Sequence, residues 1–145
     1  MKDVLINIDS THVYAQGEDD SLEFTTDGYY FFEDDVACLS YMESEVTGLE
    51  GTRTSMMAYP DRVVLDRDGV VTSRMIFRQG EKSSFMYNTP YGAMAMGIST
   101  GSIRREMDEN GGSLYIDYSV DVENSVIARN SFHITVKEIG EETDG

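Results

Sequence analysis

A chain of 145 residues, 40% of them hydrophobic, is long enough to bury one core and too apolar to stay unfolded. Its 27 acidic residues outnumber 11 lysines and arginines, for a net charge of −16. Nucleic-acid affinity rests on basic contacts that release counterions, and anionic membranes attract basic surfaces, so neither partner is expected.

The chain alternates from its start, with Val4, Ile6 and Ile8 set against Leu5, Asn7 and Asp9. That spacing predicts a half-buried strand over 3–14. No basic region leads into a long apolar run, so this segment is not read as a signal peptide, and no stretch has the length of a membrane helix. Turn residues at 16–20 precede a strand over 20–33, and Glu33-Asp34-Asp35 precedes one over 35–46. The third strand holds the single cysteine in Val36-Ala37-Cys38-Leu39, where it is expected to act as a small buried hydrophobe. One cysteine makes no internal disulfide, and a reducing, cytoplasmic setting follows.

Strands over 51–59, 61–67, 70–79 and 83–89 are set off by Pro60-Asp61, the turn at 66–69 and Gln79-Gly80. Within 91–107, Ile103 and Met107 are spaced as in a helical turn. A strand is preferred, because Asn110-Gly111-Gly112 then makes a hairpin into the next strand, 112–122. There the alternation is cleanest: Leu114, Ile116, Tyr118, Val120 and Val122. The last strand, 126–138, is expected to pair with it through a three-residue turn, Glu123-Asn124-Ser125. That register sets Val122 opposite Val126, Val120 opposite Ala128 and Ile116 opposite Phe132, keeping apolar with apolar. Residues 1–139 form one domain in this reading, and 140–145 form an acidic disordered tail. Strands joined by hairpins without intervening helices predict an all-β fold: a single closed antiparallel barrel of about eight to ten strands, wound as an up-and-down meander.

Several strings, taken in order, carry a resemblance. They are Gly28-Tyr29-Tyr30, Leu39-Ser40-Tyr41 with Glu43, Arg67-Asp68-Gly69, Met75-Ile76-Phe77 with Gly80, Tyr87-Asn88-Thr89-Pro90-Tyr91-Gly92, Thr100 with Ile103, and Gly112 followed by Leu114, Ile116 and Tyr118. In this order and spacing the chain resembles the YwiB-like family of small bacterial proteins, a domain of unknown function. The resemblance spans nearly the whole chain and implies a calycin-like (lipocalin-like) β-barrel in a bacterial cytoplasm. It implies no reaction. The chain departs from the family mainly in its methionines at 56, 57, 94 and 96, which bear on interior shape.

No Gly-x-Ser-x-Gly elbow, phosphate loop or dinucleotide fingerprint occurs, so no catalytic residue is assigned and no enzyme is expected. His12 and His133 read as surface residues, and no metal site or cofactor is assigned. Strand faces are more informative. Apolar positions expected inside include Val4, Ile6, Ile8, Leu39, Met56, Leu65, Phe77, Met94, Met96, Ile98, Ile116, Val126 and Phe132. The same faces carry Thr26, Thr54 and Ser73, and eight residues that stand as candidate ligand contacts: Arg67, Glu43, Tyr41, Tyr87, Thr89, Thr100, Tyr118 and Asn130. Buried polar groups need partners, at about 1–3 kcal/mol each when unpaired. Arg67 is expected to point inward and to meet Glu43 or one of the tyrosines. Such a set either closes the barrel structurally or forms a polar-lined pocket for a small amphipathic or anionic molecule. A solid barrel acting as a protein-interaction module, and an enzyme using Glu43 with Arg67, are the alternatives; the chain is expected to be a monomer or homodimer.

Overall fold

The computed structural model describes residues 2–17 and 19–139, so the acidic tail lies outside the described residues. Ten strands follow one another: β1 (Lys2–Tyr14), β2 (Asp20–Glu33), β3 (Val36–Met42), β4 (Arg53–Ala58), β5 (Val63–Asp68), β6 (Ser73–Phe77), β7 (Lys82–Thr89), β8 (Gly92–Asp108), β9 (Gly111–Val122) and β10 (Ser125–Glu138). The segment 102–107 is strand, as the turn at 110–112 requires. All neighbouring pairs are antiparallel, in the order β6-β5-β4-β3-β2-β1-β10-β9-β8-β7.

The two ends of this order, β6 and β7, come together again. Thr72 and Asn88 exchange backbone hydrogen bonds of 3.0 Å in each direction, and the Ser83 hydroxyl donates to the Ile76 carbonyl at 2.8 Å. The sheet is thus a nearly closed barrel, which leaves little unpaired strand edge. At Gly28 an added Cβ would stand 2.5 Å from the Ser40 carbonyl oxygen, so only glycine lets β2 lie this close over β3.

Because the meander alternates direction, its turns fall at two ends. One end, here the upper, carries the end of β1 and the start of β2 and the connections 43–52, 69–72, 90–91 and 123–124. The lower end carries 34–35, 59–62, 78–81 and 109–110. Between them, Val4, Ile6, Tyr30, Val63, Phe77, Ile98, Leu114 and Ile116 are fully buried. Each such side chain contributes about 1.5–3 kcal/mol by leaving water. Phe77, Tyr118 and Phe132 stack edge to face, at 4.9 Å for Phe77–Tyr118 and 6.1 Å for the other two pairs.

Several expectations are corrected. The β9–β10 turn has two residues, Glu123 and Asn124, both at positive φ (53° and 68°), and pairs Val122 with Ser125. Asp121 then faces Val126, and a bulge at Ile127 brings Ala128 back opposite Val120 and Phe132 opposite Ile116. One added residue in the strand does what an added loop residue was expected to do. Val126, before the bulge, is consequently exposed, as is Met94 near the tip of the β7–β8 hairpin. Cys38 is half-buried rather than buried: Ala37 and Leu39 take the inner face and turn it outward, opposite Met57.

A second bulge, between Thr100 and Ser102, switches the inner face of β8 from even to odd positions. Ile103 and Met107 therefore pack on the core, and Arg105 shares their face. Its guanidinium donates to the carbonyls of Asp35 (2.8 Å) and Ala58 (2.7 Å) and to the Asp35 carboxylate (2.8 Å). With the Tyr30 hydroxyl donating to the Asp108 carbonyl at 2.6 Å, these bonds seal the lower end.

Candidate functional site

The upper half of the interior is not filled. A cavity of about 210 Å³ is walled by Ile8, Leu22, Phe24, Met56, Phe132 and Ile134, and rimmed by Ser10, His12, Tyr41, Glu43, Arg67 and Tyr118. Thr47 and Leu49 of the 43–52 connection cover part of its mouth. Larger grooves exist on the outer surface, but they are shallow and lack this apolar floor.

The polar rim is built by strand register. Tyr41 pairs with Thr54, Thr54 with Arg67 and Arg67 with Ser73, so these side chains form one inward row across β3, β4, β5 and β6. Glu43 follows β3 directly, and its backbone N–H donates to the Thr52 carbonyl at 2.8 Å. Its carboxylate, only 2% exposed, accepts from the Thr54 hydroxyl at 2.5 Å and from the Thr47 hydroxyl at 2.9 Å. Burial, and then the negative charge of Glu43, raise the Tyr41 phenol far above its ordinary range, so it stays a neutral donor.

Arg67 lies in this row as expected, but the Glu43 contact is long. Nε stands 3.9 Å from Glu43 Oε2, outside hydrogen-bond range. Among the described residues that Nε is buried with no hydrogen-bond partner, as are the hydroxyls of Ser73 and Thr100. The contrast with Arg105 is direct: the lower arginine makes three hydrogen bonds to carbonyls and a carboxylate, whereas the upper one lines a cavity and, among the described residues, makes none.

The sheet that holds this site has known counterparts. The model of a domain of unknown function, DUF1934, matches residues 6–134. The chain belongs to this family. The uncharacterized β-barrel protein YwiB of Bacillus subtilis (strain 168) is 30% identical over 115 residues, covering 77% of this chain and 80% of that protein. The crystal structure of the YwiB protein aligns with a TM-score of 0.83 at 24% identity, over 94% of this chain and 92% of that one. The barrel fold is therefore shared with the YwiB protein.

Of the residues singled out in sequence, Arg67, Glu43, Tyr41 and Tyr118 converge on the cavity. Asn130 stands behind it, opposed to Tyr118 in the β9–β10 ladder, with its Oδ1 2.9 Å from His12 Nδ1. Thr100 is buried opposite Tyr118 in the β8–β9 ladder, and Tyr87 packs against the core; neither lines the cavity. Thr89 is set apart at the β7–β8 tip, where its hydroxyl donates to the Gly92 carbonyl at 3.1 Å and accepts from the Tyr91 N–H at 3.1 Å. His12 corrects the surface reading. It is half-buried and continues the inner series Ile8, Ser10, His12, and that unbroken alternation is the signal that would have found it. His133 does lie on the outer face, opposite Asp9 and against the Tyr115 ring.

Proposed function

We propose that this barrel binds a small monoanionic, amphipathic molecule, its head on Arg67 and its tail on the apolar floor. The observation that carries this reading is the Arg67 guanidinium, whose buried Nε has no protein partner beside an apolar cavity. A planar fork of donors suits a carboxylate better than any other simple head group. Glu43 beside it cancels one positive charge, which favours a single negative charge over a doubly charged phosphate. The cavity of about 210 Å³ holds the volume of about seven water molecules, so the tail is short. An open interior also favours this reading over a solid interaction module. Glu43 is tied up by hydroxyls, which counts against its use as a mobile acid or base, so the role is one of binding. A reducing cytoplasm, as the single cysteine suggests, would supply such acids.

Titration calorimetry with short-chain carboxylates, valerate among them, tests the proposal. Binding by the native chain that is lost in Arg67→Met, with the fold intact by circular dichroism, is the expected result. Equal affinity in the two proteins would overturn it.

A further inference from the structure

We infer that the occupant of this cavity is a hydroxycarboxylate, and that His12 is the residue that recognises its hydroxyl. The inference rests on the anion reading above and adds a second polar contact to it. Asn130 stands between two cavity residues: it is directly opposed to Tyr118 in the β9–β10 ladder, and its Oδ1 stands 2.9 Å from His12 Nδ1. An amide oxygen only accepts, so Nδ1 carries the proton of the neutral imidazole and Nε2 is left with its lone pair. Register supports the arrangement, because His12 and Asn130 are directly opposed in the β1–β10 ladder and share the inner face. Among the described residues no hydrogen bond reaches Nε2, although His12 lines the cavity. Arg67 supplies only donors and Glu43 is already engaged, so the Nε2 lone pair is an acceptor that the rim holds unused, and one with no proton of its own to place. A ligand with a carboxylate for Arg67 and a hydroxyl donor for His12 satisfies both.

The test compares valerate with its positional hydroxyvalerate isomers by calorimetry on the full chain. One isomer is expected to bind about three- to tenfold tighter than valerate, the worth of one neutral hydrogen bond. That gain should vanish in His12→Phe, in which the hydroxylated isomer and valerate bind alike, whereas Arg67→Met should lose both ligands. Valerate binding with no gain from a hydroxyl at any position overturns this inference and leaves the anion reading standing. Failure of the native chain to bind valerate overturns the anion reading as well. Imidazole nitrogen NMR shifts at alkaline pH give a readout independent of any variant. The Nδ1–H tautomer of His12 supports the assignment, and the Nε2–H tautomer refutes it.

Discussion

Two arginines point into this barrel, and their partners give them opposite roles. Arg105 spends its donors on two carbonyls and a carboxylate at the lower end, so Arg105→Met strands the Ala58 and Asp35 carbonyls together. A loss of about 2–3 kcal/mol is expected in urea unfolding. Arg67 makes one long contact at 3.9 Å, and Arg67→Met should change stability by less than about 1 kcal/mol. Glu43 is the structural member of that pair. Its carboxylate gathers Thr47 and Thr54; Thr47 also donates to the Ser44 carbonyl at 3.1 Å, so Glu43→Ala strands the buried Thr54 hydroxyl and should cost about 1–3 kcal/mol by the same measurement. A larger loss in Arg67→Met than in Glu43→Ala would show that the ion pair, not the hydroxyl cluster, holds the 43–52 connection. The inward placement of both residues was legible from alternation alone. That Glu43 is satisfied without Arg67 was not, because the threonine at 47 reaches it from a connection with no strand periodicity.

Strand positions were legible almost throughout, since period-two spacing and turn residues are local signals. Parity changes were the exception. A bulge inserts a residue without altering composition, so the odd-numbered face of β8 beyond Gly101, and Arg105 with it, was hidden behind the even series Met94, Met96, Ile98. The apolar pair Ile103 and Met107 was the trace of that switch, and it resembled a helical turn instead. The β9–β10 turn shows the same ambiguity, because a loop residue and a bulge residue correct the register equally well. Its two central residues sit at φ 53° and 68°, a conformation that asparagine and glycine adopt more readily than glutamate. The double variant Glu123→Asn with Asn124→Gly is therefore expected to gain about 0.5–1 kcal/mol, read as a raised urea midpoint. No gain would mean that the Lys82 contact to the Asn124 side chain, at 3.2 Å, outweighs the backbone relief.

As a whole the molecule should be sensitive to alkali, because its interior holds neutral phenols. Burial and the neighbouring Asp108 push Tyr30 up from 10.0 to about 12, and burial raises Tyr41 and Tyr118 also. A group whose folded pKa is raised stabilises the fold fully below its unfolded value near 10 and loses that contribution as pH climbs through the folded one. Urea midpoints should thus stay level up to about pH 10 as far as these rings are concerned, then fall, with phenolate absorbance rising as the chain unfolds. A midpoint that stays level well above pH 10 would mean that these rings are not buried in solution. The strand order carries another consequence, one for how the barrel forms. The two strands that begin and end the chain lie side by side and share a full ladder, whereas β6 and β7, joined by a short turn, share a single bridge. The longest loop closure in folding is therefore invested in the β1–β10 ladder, and the shortest in the weakest seam. Joining residue 139 to residue 2 by a linker and opening the chain between Gln79 and Gly80 reverses that assignment. The permuted chain has lower contact order and should refold faster in stopped-flow experiments while reaching the same barrel; slower refolding would place the nucleus at the β6–β7 turn.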